Sequence, residues 1–326
     1  MFNYLSTIER NGVEYKIHDE AIFSCEVLVN GVIAPSFVDA LAAAKGDVEL
    51  KLMKDIVLDA PVFVPAGANI ILELNGHIIK AADNVSFAGG LIIVLHGASL
   101  TINGEGSIYG FVPGSDSLYA AIQLTHKDYI DDDNAARLVV NGGHITGYYY
   151  AICGNGNPGR GNTEIVINNG TLDCITFTGT TIYNPQENSS IIVNGGFIVG
   201  ANTGIEMRSG NLVVNNGRIE SLNAPASVAP NGSGSTAAGS AIAVCQHSTK
   251  NPINVEINGG VMRGYHALYQ ANPQKNDAEA IEKVQMMIMN GSFVAMNSTM
   301  PVYSENKTGF IYGGTFSHPV DESYEA

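Results

Sequence analysis

The sequence predicts an all-β solenoid, in which short strands wind into stacked coils of three strands each. Between Val48 and Lys80, apolar and polar residues alternate in short runs broken by proline and glycine, the period-2 pattern of half-buried strands. A phrase from this stretch returns in variant form, at intervals as short as 21 residues (Gly196 to Gly217) and as long as 43 (Gly217 to Gly260). Self-similarity of this kind indicates a repeat architecture.

Each copy of the repeat ends its first strand in a corner. An apolar triplet is followed by a residue that is usually Asn, then by Gly or Asn, and then always by Gly. Because Gly and Asn tolerate positive φ, we predict that the last two positions both turn through the left-handed region. We also predict that the Asn column forms a hydrogen-bonded amide ladder between coils. The first column is Asn141, Asn168, Asn194, Asn215, Asn258, Met289 and Tyr312. The second is Gly142, Asn169, Gly195, Asn216, Gly259, Asn290 and Gly313, and the third is Gly143, Gly170, Gly196, Gly217, Gly260, Gly291 and Gly314.

Two further strands complete each coil, and the longer copies carry loops. The loops 111–119 and 221–239 separate the second strand from the third, and the latter, small and polar, is predicted to be mobile. The loops 123–137, 154–162 and 270–284 precede the next coil, and the last is predicted to hold one helical turn. The second strands begin at Ile145, Leu172, Ile198, Ile219, Met262, Phe293 and Phe316. The third strands carry Ile152, Ile182, Ile205, Ile242, Leu268 and Val302.

From about residue 36 to residue 318 the chain resembles the right-handed parallel β-helix proteins of the pectate-lyase type. The resemblance is carried by the recurring triplet, the Asn-Gly-Gly corner and the third-strand aliphatic residues. It implies a right-handed coil, as expected for crossovers between parallel strands. It implies no particular function, because this fold hosts lyases, hydrolases, adhesins and passive spacers.

The sequence before the coil predicts two smaller units, so the expected organisation is an attachment segment (1–34), a capping helix (35–47) and a parallel β-helix (48–326). Ser36 and Asp39 have capping-box spacing, and Gly46 lies where a helix C-cap is expected. In the helix, Phe37, Val38 and Leu41 are predicted to cover the apolar end of the first coil.

The stretch from Ile8 to Ile22 resembles the N-terminal attachment segments of bacteriophage virion proteins, especially head fibres and tail or baseplate proteins. It contains Asn11-Gly12, a favourable two-residue hairpin turn between alternating strands, and then an Asp-Glu-Ala phrase. It departs from that pattern at His18, where Lys is usual, and at Ile22, where a charged residue is more frequent. An incidental hairpin is the alternative.

Composition excludes several classes of partner. The 326 residues carry a net charge of −15 with 16 scattered basic residues, which argues against nucleic acid and against anionic membranes. There is no apolar run of 18 residues and no secretory signal pattern, so we expect synthesis in the host cytoplasm without a signal peptide. The resemblance to virion attachment segments implies that the protein is located in a virion. We expect buried free thiols, with a bridge or a metal site as the alternative, at Cys25, Cys153, Cys174 and Cys245.

No catalytic, cofactor-binding or metal-ligating set is predicted. The acidic loop from Asp131 to Asp133 offers oxygen ligands for calcium but lacks EF-hand spacing, so a solvated loop is the preferred interpretation. On the outer face of the second strands, Asp173 and Glu220 lie two coils apart, roughly 10 Å, too far for a glycosidase pair. On the third strands, Tyr269 and Tyr303 are either a glycan-stacking pair or an ordinary aromatic ladder.

The middle residues of the triplets predict an assembly surface. They face away from the interior and are mostly apolar, so either a loop or a second copy should cover them. These residues are Val139, Val166, Ile192, Val213, Glu256, Met287 and Phe310. By resemblance to β-helical fibres and spikes we expect a homotrimer.

The favoured function is a non-enzymatic bacteriophage virion protein, a head or tail fibre or spike. Its expected partners are other virion proteins, reached through the N-terminal segment, with host-surface polysaccharide as a candidate ligand. A polysaccharide lyase or hydrolase is the alternative, and a bacterial surface adhesin is the third possibility. Neighbouring capsid, portal or tail genes would favour the first, and sugar-transport genes the second.

Overall fold

The predicted parallel β-helix is confirmed by the computed structural model, which contains three long sheets of stacked strands. The structure describes residues 4–10, 13–18, 25–83, 85, 89–111, 120–131, 133–222, 225–231 and 234–326, with backbone only for 4–18. In each coil the chain passes through the three sheets in a fixed order, and we name them sheets A, B and C in that order. The parallel strands of each sheet come from successive coils.

The strand bounds follow the coils from the N-terminal end. Sheet A contains Gly46–Leu52, Ala68–Glu73, Ser99–Asn103, Ala136–Val140, Thr163–Ile167, Ser189–Val193, Gly210–Val214, Ile253–Ile257 and Val284–Ile288. Sheet B contains Ile56–Leu58, Ile78–Ala81, Ser107–Gly110, His144–Gly147, Thr171–Cys174, Phe197–Gly200, Arg218–Ser221, Val261–Gly264, Ser292–Ala295 and Thr315–Phe316. Sheet C contains Val62–Val64, Gly90–Val94, Ala120–Leu124, Tyr150–Cys153, Thr180–Asn184, Thr203–Met207, Ser240–Val244, His266–Gln270 and Val302–Ser304.

The core is a set of apolar columns that run along the coil axis. In sheet A, Ile167 pairs in register with Val140 before it and Val193 after it, and all three side chains are fully buried. In sheets B and C the columns through Ile198 and Ile205 are equally buried. Adjacent strands lie about 4.8 Å apart, so each inward side chain packs on its counterparts above and below. This repeated contact explains why one apolar pattern suffices for every coil.

The predicted asparagine ladder is present. Each amide donates through Nδ2 to the Oδ1 atom of the preceding coil, along the series Asn258, Asn215, Asn194, Asn168, Asn141 and Asn103, at 2.7 to 3.1 Å. Asn103 then donates to Glu73 Oε1 at 2.5 Å, which ends the ladder on a carboxylate. The ladder therefore extends one coil further than the sequence pattern suggested.

The corner geometry differs from the prediction at its middle position. Only the third column, the invariant glycines, has positive φ, from 79° at Gly143 to 124° at Gly291. In the middle column Gly and Asn alternate from coil to coil, and a Cβ atom on Gly195 would lie 2.4 Å from the carbonyl oxygen of Asn168. Asn216, one coil later, instead accepts a hydrogen bond from the amide of Gly217 at 2.8 Å. Steric contact between coils, and not a left-handed backbone, restricts this column.

The N-terminal end of the coil is closed by a helix and a hairpin. The helix, Phe37–Ala42, is N-capped by Ser36 Oγ, which accepts from the Asp39 amide at 3.1 Å, and it buries Phe37 and Leu41. The expectations for Gly46 and Val38 were wrong. Ala43 is the C-cap, and Gly46 begins the first strand of sheet A with φ of 66°. Val38 points outward because it lies on the face of the helix opposite to the buried Phe37 and Leu41.

The hairpin was not recognised in the sequence. Val27–Val29 pairs antiparallel with Gly46–Leu52 of sheet A on one side and with Val32–Ala34 on the other, so Val32–Ala34 is the outermost strand of the sheet. The turn residues Asn30 and Gly31 have φ of 49° and 79°, as a two-residue hairpin turn requires. Residues 27–34 are therefore joined to the coil by hydrogen bonds, although they lie in the predicted attachment segment.

The beginning of the chain forms a separate antiparallel sheet from Tyr4–Arg10 and Val13–His18, with Arg10 opposite Val13. The strands agree with the predicted hairpin. Its turn, Asn11-Gly12, and the phrase from Asp19 to Ile22 lie outside the described residues.

The C-terminal end is closed by the last residues of the chain. A short 3₁₀ turn, Glu322–Tyr324, places Tyr324 against Phe310, with ring centroids 5.2 Å apart. The Tyr324 hydroxyl donates to the Ser304 carbonyl and accepts from the Ser304 amide, both at 3.0 Å. Phe310 is thus part of this cap and does not belong to an exposed outward stripe as predicted, because the C-terminal residues cover it and leave it 2% exposed, although the next residue, Ile311, still bridges Ile288 of sheet A.

The remaining members of the stripe face outward and are in register. Val139, Val166, Ile192 and Val213 lie on successive strands of sheet A and are half-buried, while Met287 is exposed. We call the four β-branched residues the apolar stripe.

The second helix is Ala278–Glu282, inside the loop where a helical turn was predicted. No helix within the described ranges is long and apolar enough to span a membrane.

Candidate functional site

The outer face of sheet B carries the most varied chemistry of the three sheets. Two columns point outward along it, one on each side of the buried column through Ile198. The column nearer the glycine corner is Ser107, His144, Thr171, Phe197, Arg218, Val261 and Ser292. The other is Lys80, Tyr109, Thr146, Asp173, Val199, Glu220, Arg263 and Val294.

A histidine and a carboxylate pair on this face. His144 Nε2 lies 2.8 Å from Asp173 Oδ2 on the next coil and 3.3 Å from Thr146 Oγ1. The ring of Tyr109 meets His144 edge-on at 6.3 Å. Asp173 Oδ1 is buried without a hydrogen-bond partner in the described structure, so one oxygen of this carboxylate is unsatisfied.

Two coils further, one carboxylate holds two arginines. Glu220 Oε1 accepts from Arg218 Nε at 2.6 Å and from Arg263 Nη1 at 3.0 Å. Glu220 is only 5% exposed, whereas the side chains of Arg218 and Arg263 are 49% and 34% exposed. The guanidinium of Arg218 also lies over the ring of Phe197, 5.1 Å from its centroid. The cluster has two positive charges and one negative charge, and its positive groups face solvent.

An open groove of about 580 Å³ runs beside these residues along the glycine corner. Its floor is formed by the corner backbone of four coils, and Thr171 and Phe197 form the side that adjoins sheet B. Arg218 follows at the same column position on the next coil. The groove and the arginine cluster are therefore neighbours along the coil axis.

The register confirms the predicted separation of Asp173 and Glu220, because Val199 lies between them in the column. Each carboxylate has its own cationic or ionisable partner, His144 for Asp173 and two arginines for Glu220. The arrangement is therefore two separate polar clusters and not one carboxylate pair. Sequence inspection of the second column alone missed the first column, which contributes His144, Phe197 and Arg218.

Part of the outer face of sheet C, around Glu206 and Arg208, is covered by residues of loop 222–239, and a buried polar network lies beneath them. Glu206 Oε1 accepts from the Thr236 amide at 2.8 Å and from Thr236 Oγ1 at 2.5 Å, and Ser235 Oγ donates to Glu206 Oε2. Burial raises the pKa of Glu206, although these hydrogen bonds act in the opposite direction.

Arg208, on the same stretch of chain, is fully buried and holds the other part of that loop. Its Nη1 donates to Gly234 O at 2.7 Å and to the Tyr183 hydroxyl at 3.0 Å, and its Nη2 donates to Asn231 O at 2.7 Å. Burial raises the pKa of Tyr183 to about 12. The mobility of this loop stays a prediction; in the structure, residues 234–239 are held by hydrogen bonds to Glu206 and Arg208 and by a short antiparallel pairing of Ser227–Val228 with Ala237–Ala238.

The aromatic pair on sheet C forms a half-buried stack with a histidine. The rings of Tyr269 and Tyr303 are 5.0 Å apart, and His266 stacks on Tyr269 at 5.1 Å with nearly parallel planes. His266 is buried and its Nδ1 lies 2.6 Å from Met300 O. Burial raises the pKa of Tyr269 to about 12 and lowers that of His266. Because these rings stack mainly on one another, the geometry favours a stabilising ladder over a sugar platform.

The remaining sequence candidates have structural roles. In the acidic loop, Asp131 accepts from the Asp133 amide at 3.2 Å and from the Asn134 side chain at 2.9 Å, while Asp132 lies outside the described residues. Across the described part of the chain, no three His, Cys, Asp or Glu residues are grouped to hold a metal ion. The prediction of buried free thiols is confirmed for Cys25, Cys153, Cys174 and Cys245.

Comparisons with known proteins assign this chain to no family. No family model matches it, and no curated protein or solved structure shows significant similarity to it.

Proposed function

We propose that this protein is a non-enzymatic structural protein of a bacteriophage virion, a head or tail fibre or spike with a β-helical body. The observation that supports this most directly is the division of the chain into a closed body and a separate leading hairpin. Both ends of the coil are covered by the chain itself, by Phe37–Ala42 with the 27–34 hairpin at one end and by Glu322–Tyr324 at the other. Among the described strands, Tyr4–Arg10 and Val13–His18 pair with each other in a sheet of their own, which supports a role as an attachment element.

The body is built to be stiff. Every coil is hydrogen-bonded in register to the next through three sheets, and the asparagine ladder adds a side-chain bond at most coils. Solenoids of this kind hold a fixed shape over their full length because each coil contacts only its neighbours. A stiff body of this kind suits a fibre or spike that presents a surface at a distance from its attachment point.

Association with particles is the direct test. Particles from a culture that carries the gene are separated on a density gradient, and fractions are probed with an antibody against the recombinant protein. We expect the protein to sediment with the particles, and a variant lacking residues 1–24 to remain folded but to stay in the soluble fractions. A wild-type protein found only in the soluble fractions would contradict the proposal.

The proposal also includes the absence of polysaccharide cleavage. Purified protein incubated with polygalacturonate or host-surface polysaccharide, with and without calcium, should release no unsaturated or reducing products. Sustained release of either product would favour the lyase or hydrolase alternative.

The assembly we propose is a homotrimer that packs along the apolar stripe. Val166 and Ile192 lie side by side on the outer face of sheet A, with no charge between them. Replacing both with Asp would place two carboxylates in an apolar contact, so the double variant should be monomeric by mass measurement in solution. A wild-type protein that is already monomeric at micromolar concentration would show that the stripe is not an interface.

A further inference from the structure

We propose that Arg218 and Arg263, positioned by Glu220, form a binding site for the carboxylate group of an acidic saccharide. The sugar backbone would lie in the adjoining glycine-corner groove. The inference deepens the proposed function and rests on it in one respect, that the ligand is a glycan of the host surface. The two arginines are called the arginine pair below.

The arginine pair has hydrogen-bonding capacity that the protein does not use. Glu220 engages one nitrogen of each guanidinium, Nε of Arg218 and Nη1 of Arg263. Among the described residues, both Nη groups of Arg218 and the Nε and Nη2 groups of Arg263 have no partner. Guanidinium groups bind carboxylates through two parallel N–H donors, and the outer edge of Arg218 offers such a pair.

Glu220 fixes the pair without neutralising it. Its carboxylate is nearly fully buried, and it accepts both arginines through one oxygen, so the guanidinium groups are held in place before a ligand arrives. Preorganised donors bind more tightly because less side-chain entropy is lost on binding. The cluster keeps one excess positive charge, whereas the whole chain carries −15, so this is a local exception to an anionic surface.

The surroundings favour a saccharide. Phe197 and Val199 provide apolar surface on the strand between the arginine pair and the His144–Asp173 pair. The groove beyond Phe197 is floored by backbone of Gly143, Gly170 and Gly196. Asn169 and Thr171 also line the groove, and their side chains carry groups that can hydrogen-bond a sugar hydroxyl.

The geometry predicts where the charged group would lie. Strands are about 4.8 Å apart, so Asp173 and Glu220, two strands apart, mark the ends of a surface about 10 Å long. An acidic sugar with its carboxylate on Arg218 would direct its hydroxyls past Phe197 into the groove, whose lining also includes Thr171 and Glu105. Neutral sugars would gain nothing from the arginine pair.

Calorimetric titration with an oligomer of glucuronic acid, and with its methyl ester as the matched neutral ligand, tests the site. We expect the acid to bind and the ester to bind at least about tenfold more weakly, since the ester cannot accept bidentate bonds. Arg218→Gln and Arg263→Gln should each weaken binding of the acid by about tenfold or more. Each variant leaves the other arginine on Glu220, so the buried carboxylate stays paired and the fold is retained, which circular dichroism verifies.

Arg137→Gln is the matched control. Arg137 pairs with Glu164 on the outer face of sheet A at 2.7 and 3.3 Å, one cation with one anion, and its loss should leave affinity within about twofold. Equal binding of acid and ester, an equal effect of Arg137→Gln, or no binding at millimolar ligand would overturn the proposal. Tighter binding of an oligomer of glutamic acid than of the saccharide would overturn it in favour of an acidic peptide. None of these outcomes alters particle association, so the two proposals fail separately.

Discussion

The outer faces of sheets A and C differ although both arise from the same alternation in the sequence. On sheet A the outward residues are satisfied along the coil axis, by the asparagine ladder on one side of the apolar stripe and by pairs such as Arg137 with Glu164 on the other. On sheet C the equivalent outward positions around Glu206 and Tyr183 are buried beneath residues of loop 222–239.

This difference shows that an outward position on a coil is not the same as an exposed one. A ladder forms from identical neighbours one coil apart, so each member depends on the next copy of the repeat. The network on sheet C joins unlike residues from distant parts of the chain, such as Glu206 with Thr236 and Arg208 with Asn231. Repetition builds the first surface, and an irregular loop builds the second.

The largest expected effect comes from removing a buried charge on sheet C. Glu206→Ala leaves Arg208 buried without its nearby carboxylate and leaves the Thr236 amide unpaired, so we expect a loss of about 3–5 kcal/mol in the free energy of unfolding. Equilibrium denaturation in urea measures this loss. Limited proteolysis should also cut loop 222–239 faster than in the wild-type protein.

Glu164→Ala on sheet A is the matched control for that change. Its side chain is 47% exposed and its pair with Arg137 is open to solvent, so the expected loss is at most about 1 kcal/mol. Equal losses at Glu206 and Glu164 would show that loop 222–239 does not rely on the buried carboxylate.

An intermediate effect is expected at the corner, where the two residues of the middle column alternate. Gly195→Ala introduces a Cβ atom 2.4 Å from the Asn168 carbonyl oxygen, and separating the two coils there should cost about 1–3 kcal/mol. Asn216→Ala, at the same column position one coil later, removes only the hydrogen bond to the Gly217 amide and should cost about 1 kcal/mol or less. If thermal and urea denaturation find Asn216→Ala to be the more damaging, steric contact is not what selects glycine.

The smallest effect is expected in the ladder itself. Asn194→Leu removes one bond to Asn168 and one from Asn215, and the exposed amides left behind can bond to water. We therefore expect a loss of about 1 kcal/mol, at the lower end of the range for buried amides. A loss above about 3 kcal/mol would mean that the ladder is cooperative. The outer faces of sheets A and C would then contribute more equally to the free energy of unfolding than proposed.

The fold was predictable from the sequence because it is repetitive. Apolar triplets, invariant glycines such as Gly196, and third-strand aliphatic residues recur in every copy, so one interpretation applied to the whole chain. The asparagine ladder followed in the same way, since identical residues at identical positions must stack in a parallel register. The hairpin of Val27–Val29 and Val32–Ala34 could also have been predicted, because Asn30-Gly31 between two apolar triplets carries the same turn signal as Asn11-Gly12.

The candidate site could be predicted only in part from the sequence. Glu220 and Asp173 were identified as outward carboxylates, and their separation of two coils was correct. Arg263 lies in the same column as Glu220, one coil on, and was visible in the sequence pattern. His144, which reaches diagonally to Asp173, and Arg218, on the strand of Glu220 itself, belong to the other outward column, and their side-chain directions decide those contacts.

The sequence by itself determined the coil, its three faces and the direction in which each strand residue points, because local alternation and repeat length set all three. The tertiary structure alone decided which outward positions are exposed. Loop 222–239 has no repeat and no strong periodicity, and its position depends on Glu206 and Arg208 meeting backbone and hydroxyl groups far away in the chain. Burial of those charges is a property of contacts between distant segments, which no local pattern encodes.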